Sequence, residues 1–432
     1  MRWPHRRCAS KAMIRALYSL GMWLARPLVV AKLRRRAVNE PRYGHAIAQR
    51  FGHYDVPPLT QDSTRPLMWV HAVSLGETRA AAVLVAGLRK KYPGMRLLLT
   101  HGTATGWEQG SALLAAGDLQ VWQPWDTPGA VQRFLAQFQP RIGLLMETEV
   151  WPNMVALCQR AGVPLCLVNA RMSEKSTRQA LRLRWLSRPA YAGLRAVLAQ
   201  TEDDARRLRT LGATVQAVTG NLKFDATPDA ALLARGQAWR ATNAKPVVMF
   251  TSSREGEEQM FIDALRAEPV AGVQWLIVPR HPQRFDAVAA LFQAAGYAVS
   301  RRSAWVDAPP PADIWLGDSL GEMALYYGLA DVTLLGGSFA PLGGQNLIEA
   351  AACGCPVLMG PHTFNFAQAA ETAQAAGAAI RCVDLADALR HGGALVAEPA
   401  RLARTRKAAL AWSVTHQGAT RRTLDALDCV RI

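Results

Sequence analysis

From Leu67 onward, short apolar runs alternate with segments of helical period. PLMWVHAV, MRLLLTH, QVWQPW, RIGLLMETE, VPLCLVNAR, AVLAQT and AVTG read as strands. Stretches such as GETRAAAVLVAGLRKKY and DTPGAVQRFLAQF read as the helices between them. The rhythm pauses at KFDATPDAALLARGQAWRATNAKP and restarts with VVMFTSS, VQWLIVPRH, YAVSRRS, DIWLGD, DVTLLGGS and PVLMGP. Near-continuous apolar strands alternating with helices predict parallel sheets covered on both faces. The pattern therefore predicts an α/β protein with two doubly wound, Rossmann-like domains facing a cleft. The expected organisation is a basic amphipathic helix over 1–38, one α/β domain over 39–228, a second over 245–400 and a helical tail over 401–432.

The N-terminal stretch differs from the rest. Met13, Leu17, Leu20, Leu24 and Leu28 recur at helical spacing, but Arg15 and Arg26 interrupt the run and Arg34, Arg35 and Arg36 follow it. The charge-free run Ala16–Ala25 is too short to cross a bilayer. With Trp23 and Tyr18 at interfacial positions, the pattern predicts a helix lying on an anionic membrane surface. An ordinary first helix with a solvated basic end is the plainer reading.

Charge and cysteine usage narrow the class. The 432-residue chain carries a formal net charge of +17, which points to anionic partners. Residues 1–50 hold twelve Lys and Arg against the single acid Glu40. The seven cysteines show no CxxC spacing and no Cys/His ligand cluster, so free thiols in a reducing compartment are expected and no metal site is assigned. No nucleic-acid stacking platform accompanies the basic N-terminus.

Ligands of open α/β sheets bind beyond the carboxyl ends of the strands, so candidate chemistry is sought there. In WVHAVSLGETRAA, Ser74, Gly76 and Glu77 sit at a strand-to-helix turn, where Glu77 suits a general base and equally a helix-start carboxylate. LLMETEVWPN places Glu147 and Glu149 after a strand. NARMSEKS and GNLKFD supply Arg171, Ser173 and Lys223 against anionic groups. In the second half, LIVPRHPQRF ends a strand at Pro279 and Arg280, a phosphate-binding candidate. Gly321, Glu322 and Met323 open a helix expected to be amphipathic, with free N–H groups suited to an anion; a capping box of Ser319 and Glu322 explains the same residues. In GGSFAPLGGQNLIEAA, Gly343–Gly344 admit close backbone approach, Asn346 caps a helix, and Leu347, Ile348 and Glu349 form its first turn, with Glu349 placed to hold a ribose. Neither GxGxxG nor GxxxxGK[ST] occurs in a fitting context, which disfavours dehydrogenase and P-loop readings.

Together, WVHAVSLGE, LLTHGTATG, METEVWPN, NARMSEKS, GNLKFD, EGEE, VPRHPQRF and the segment from LGEMALYYGLADVTLL to MGPHTFNF resemble the 3-deoxy-D-manno-octulosonic acid (Kdo) transferases of lipopolysaccharide synthesis. The resemblance spans about residues 65 to 370. It implies a GT-B fold and inverting transfer from CMP-Kdo, a substrate rather than a cofactor, to a lipid A precursor (lipid IVA) at the cytoplasmic face of the inner membrane. No cofactor and no nucleic acid are implied. On matching positions Glu77 is the general base, and Glu147 and Lys223 stabilise the transition state. Pro279, Arg280, Gly321, Glu322, Met323, Asn346, Leu347, Ile348 and Glu349 line the CMP site. The chain departs from the family pattern at Gln345, where His is common, and at Ser253–Arg254, where Thr-His is common. The competing readings are another GT-B sugar-nucleotide enzyme, such as a UDP-sugar transferase or epimerase, and a non-catalytic basic protein that binds RNA or membranes.

Overall fold

The structure, a computed structural model, describes residues 5–56 and 65–430. Arg2 lies outside the described residues, as do the side chains of Arg6, Arg7, Cys8 and Lys11. The chain forms two compact units, residues 1–225 with 418–432 and residues 226–417. Helix Ala230–Thr242, in the segment where the strand rhythm pauses, lies with the second unit. The tail divides: helix Pro399–Thr415 belongs to the second unit and helix Ala419–Asp428 to the first. Asp225 explains the return, because its carboxylate accepts the Gly418 and Thr420 N–H groups at the start of that last helix, at 2.6 and 2.5 Å.

The first unit holds a seven-stranded parallel sheet made of β1 (Leu67–His71), β2 (Arg96–His101), β3 (Leu119–Trp122), β4 (Ile142–Met146), β5 (Leu165–Ala170), β6 (Ala196–Ala199) and β7 (Val215–Val218). Their order is β3-β2-β1-β4-β5-β6-β7. Successive residues of β1 face opposite ways, as the pleat requires. Leu67 and Trp69 enter one apolar core with Phe134 and Leu167, while Met68 and Val70 enter the other with Leu84 and Leu99.

The second unit repeats the design with β8 (Val247–Ser253), β9 (Gln274–Pro279), β10 (Val299–Arg301), β11 (Ile314–Leu316), β12 (Val332–Leu335), β13 (Val357–Met359) and β14 (Ala379–Arg381), ordered β10-β11-β9-β8-β12-β13-β14 and again all parallel. Thirteen of these strands fall on the apolar runs read above; β14 does not. Helix Met323–Leu329, expected to be amphipathic, is buried on every side, since Ala324 through Leu329 are all inaccessible. It packs against helix Ala230–Thr242, which covers its outer face. Gly236 and Gly328 make this crossing possible. A Cβ on Gly236 would overlap the Leu325 carbonyl oxygen, and one on Gly328 would overlap the Leu233 carbonyl. We therefore expect Gly236→Val to cost about 3 kcal/mol or more and to lower the thermal midpoint of the full chain by roughly 5–10 °C. An unchanged midpoint in scanning calorimetry would show that the two helices part freely.

The N-terminal helix His5–Leu24 docks on the first unit by its polar face. Tyr18 Oη donates to Asp126 Oδ2 at 3.0 Å, Ser19 Oγ donates to Asn153 Oδ1 at 3.1 Å, and Trp125 Nε1 donates to the Met22 carbonyl at 3.1 Å. The opposite face leaves Met13, Leu17, Leu20, Trp23 and Leu24 exposed, and Leu28 continues the stripe on helix Arg26–Ala37. No helix among the described residues is long and apolar enough to cross a membrane.

Candidate functional site

Each sheet changes winding direction once, between β1 and β4 in the first unit and between β8 and β12 in the second. At such switch points adjacent loops diverge and leave a crevice beyond the strand ends. The candidate residues gather at these two places.

In the first unit, Glu77 stands in the opening turn of helix Leu75–Lys91, just beyond β1. Ser74 caps that helix by accepting the Glu77 N–H, and Glu77 Oε2 reaches back to accept the Val73 N–H at 2.6 Å. The helix-start role is therefore real. The electrostatics add a second role. Burial, reinforced by Glu147 and Glu149, pushes the Glu77 carboxyl up to about 8, against the opposing pull of the Val73 amide and Lys223. A carboxyl tuned close to neutral pH is matched to proton transfer.

Glu147 follows β4 directly and takes a left-handed backbone, φ 54°. For a residue with a Cβ this is strained, and the surroundings must hold it. Lys223 Nζ donates to Glu147 Oε1 at 2.7 Å, and Arg171 Nε lies 2.8 Å from Oε2. Burial alone would raise the Glu147 carboxyl, but the two cations outweigh it and hold the pKa below the usual value. The Glu149 carboxyl is raised by burial and accepts the Trp151 indole N–H at 2.9 Å. His71, fully buried at the end of β1, is pushed down to about 3 by burial and by His101, so the ring is neutral at physiological pH. The structure thus brings Glu77, Glu147 and Lys223 together, one carboxyl kept protonated and one kept ionised within the same loop cluster. Ser173 stands apart as the cap of helix Glu174–Arg182.

One positioning residue was missed from the sequence. Asn169, also left-handed at φ 51°, accepts the Leu222 N–H at 3.0 Å, and Asn221 accepts the Lys223 N–H at 3.0 Å. These two amides fix the turn Leu222–Asp225 that carries Lys223. An Asn closing a strand was the available signal, since Asn tolerates this backbone better than other residues with a Cβ.

In the second unit, Pro279 closes β9 and is buried, and Arg280 follows it half-buried with Nε donating to Gln345 Oε1 at 3.3 Å. Gln345 thus supplies an acceptor to Arg280. Gly343 and Gly344 have φ values of 90° and 75°, which only glycine adopts without strain, so the loop needs both for its conformation. Asn346 caps helix Leu347–Ala352 by accepting the Ile348 N–H at 3.2 Å. Leu347 and Ile348 send their side chains into the core, which leaves only their backbone for a ligand, and Glu349 is half-buried on the first turn. Gly321 is left-handed, and the Glu322 carboxylate is taken up by Ser319 Oγ at 2.5 Å and Arg302 Nη2 at 2.8 Å. Ser319 and Glu322 therefore pair, while the helix itself starts only at Met323.

The EGEE motif organises this loop cluster. Glu257 is wholly buried and accepts the N–H groups of Arg254, Gly337, Phe339 and Ala340, at 2.9, 2.7, 3.3 and 3.3 Å. Burial raises its carboxyl and the amides pull it back. Glu258, also buried, makes a bidentate pair with Arg284, both contacts at 2.8 Å. Although the sequence shows no Cys/His ligand spacing, the fold brings Cys382, Asp387 and His391 ligand atoms within 4.8 Å of one another. Asp387 has a structural account: it accepts the Val383 N–H and pairs with Arg390 at the start of helix Leu385–Ala397. The cysteines outside the N-terminal segment are free thiols.

Residues 45–226 match the family model of 3-deoxy-D-manno-octulosonic-acid transferase (kdotransferase). The chain is 50% identical over 431 residues to the 3-deoxy-D-manno-octulosonic acid transferase of Bordetella pertussis, covering 96% of this chain and 99% of that one. Among solved structures, a UDP-GlcNAc 2-epimerase from Neisseria meningitidis aligns with a TM-score of 0.57 at 15% identity, covering 84% of this chain and 99% of that one. A glycosyltransferase from Rickettsia africae aligns with a TM-score of 0.57 at 12% identity, covering 85% and 99%. At such low identity these two structures speak to the fold alone, which is GT-B. Likeness in sequence runs instead to the Kdo enzymes, so neither the UDP-sugar reading nor the non-catalytic one is favoured. The chain belongs to the 3-deoxy-D-manno-octulosonic acid transferase family and is a glycosyltransferase.

Proposed function

We propose that this enzyme transfers Kdo from CMP-Kdo to a lipid A precursor (lipid IVA) with inversion at the anomeric carbon. The observation that carries the reading is Glu77: a buried carboxyl raised to about 8 at the switch point of the first sheet, beside the Lys223–Glu147–Arg171 cluster. Glu77 in its ionised form takes the proton of the acceptor hydroxyl. The freed oxygen attacks the anomeric carbon from the face opposite CMP, the new C–O bond forms, and the bond to the CMP phosphate breaks with its electron pair leaving on CMP. Lys223 offsets the charge of the sugar carboxylate and Arg280 that of the departing phosphate, an electrostatic contribution of several kcal/mol when the cations are held in place. Glu349 holds the ribose, and the backbone around Pro279, Gly321–Met323 and Asn346–Ile348 receives the rest of the nucleotide.

The acceptor is an amphiphile, so the enzyme works at a membrane surface. The exposed stripe from Met13 to Leu28, followed by Arg34, Arg35 and Arg36, suits the cytoplasmic face of an anionic inner membrane. Incubation with CMP-Kdo and tetraacylated lipid A precursor, with products weighed by mass spectrometry, tests the proposal. A product heavier by one or more Kdo residues is expected. An unmodified acceptor, with CMP-Kdo intact, would overturn it.

A further inference from the structure

A second cavity-lining group in the first unit has no place in the scheme above. Arg50 is nine-tenths buried, yet no carboxylate lies within ion-pair distance of it among the described residues. Its guanidinium sits 4.0 Å over the Trp122 ring, Nη2 donates to the Gly102 carbonyl at 3.1 Å, and buried Nε makes no hydrogen bond among the described residues. A buried, unpaired guanidinium is costly to a folded chain unless a ligand completes it.

Arg50 lines a cavity of about 280 Å³. Lys32 and Arg36, one turn apart on helix Arg26–Ala37, line it too, and Arg36 meets the neutral Tyr43, donating to its hydroxyl at 3.4 Å with the guanidinium 5.4 Å from its ring centre. Two carboxylates also face the cavity, and both are engaged. Asp126 accepts the Asn153 and Met154 N–H groups and the Tyr18 hydroxyl, and Glu149 accepts the Trp151 indole. Three cations without carboxylate partners among the described residues therefore surround the space. The cavity wall also includes Val73, whose N–H holds Glu77.

We infer that this cavity is an anion subsite for a phosphate monoester carried on the acceptor sugar, with Arg50 as its buried anchor and Lys32 and Arg36 as its mouth. The inference rests on the acceptor proposed above. It goes beyond that reading by assigning a subsite and its ligand chemistry. Phosphate recognition here fixes the acceptor beside Glu77 and makes the phosphate a condition for tight binding.

The test is calorimetric titration of the full chain with three probes: a deacylated glucosamine disaccharide bisphosphate, the same disaccharide after phosphatase treatment, and inorganic phosphate. The wild type should bind the bisphosphate about 10- to 100-fold more tightly than the dephosphorylated sugar, the range expected for charge-assisted contacts. Arg50→Met, which keeps an apolar stem on Trp122, should erase that difference, and Arg50→Lys should restore part of it. Equal affinity of the wild type for both sugars overturns the subsite, as does an undiminished preference in Arg50→Met. If Arg50→Met loses its thermal transition, the exposed pair Lys32→Gln/Arg36→Gln decides by the same criterion. Inorganic phosphate binding as tightly as the bisphosphate would assign the site to free phosphate and overturn the inference. Transfer is assayed on the same preparations: phosphate-dependent binding without Kdo transfer sinks the proposed function and leaves the subsite standing. Transfer without phosphate preference sinks the subsite alone.

Discussion

Glu77→Gln is expected to lower turnover by about 10²–10⁴ while CMP binding persists, because the amide keeps the shape and the Val73 contact but cannot take a proton. The wild type should show the matching pH dependence. Burial and the neighbouring carboxylates raise the Glu77 carboxyl to about 8, so only a minority of molecules carry the base form at neutral pH. Activity should therefore climb between about pH 7 and pH 9, and the residual activity of the variant should lack that limb. Stability should move the other way. The folded pKa lies above the usual 4.5, so the folded chain holds this proton more tightly than the unfolded chain does. That contribution favours folding fully below pH 4.5 and is lost as pH rises through about 8. Gln has no proton to lose, so the variant should gain on the wild type as pH rises from 4.5 to 9, by on the order of 4–5 kcal/mol. Near-normal turnover in Glu77→Gln, or a wild-type profile flat across this range, would remove Glu77 from the role of base.

Much of this arrangement is legible in the sequence because parallel strands covered on both faces leave long apolar runs, and because loops at the strand ends interrupt them with chemistry. WVHAVSLGE shows Glu77 at the helix start beyond β1, and METEVWPN shows Glu147 directly after β4, as in the structure. β14 escapes notice because it is three residues long, ends in Arg381 and is only partly buried. Helix Met323–Leu329 misleads because its Tyr and Gly residues suggest an outer face, whereas helix Ala230–Thr242 closes over it through paired glycines. That cover comes from a segment almost ninety residues earlier, which local periodicity does not register. Glu257 reads as one acid in EGEE, yet its partners Gly337, Phe339 and Ala340 lie some eighty residues downstream. Asn169 and Arg50 are hidden for the same reason. Their meaning lies in who fails to pair with them and what they hold, and both are facts of three dimensions.

Lys223 supplies the other large effect, and it separates catalysis from stability. Glu147 is almost inaccessible, and its ionised state depends on Lys223 and on Arg171, whose side chain is the more exposed of the two cations. Lys223→Met should therefore leave a buried carboxylate half-compensated and cost about 3–5 kcal/mol. Turnover should also fall, by about 10²-fold or more, through loss of a preorganised cation. Taken alone, that variant would not say which loss matters. Combining it with Glu147→Gln removes the charge that needed compensation, so the double variant should recover most of the lost stability, to within about 1 kcal/mol of the wild type. Its turnover should stay low if Lys223 and Glu147 act on the transition state. Denaturation midpoints and single-turnover rates on the same four proteins form the double-mutant cycle. A double variant that regains both stability and turnover would make the pair a scaffold for the strained turn at Glu147 and nothing more.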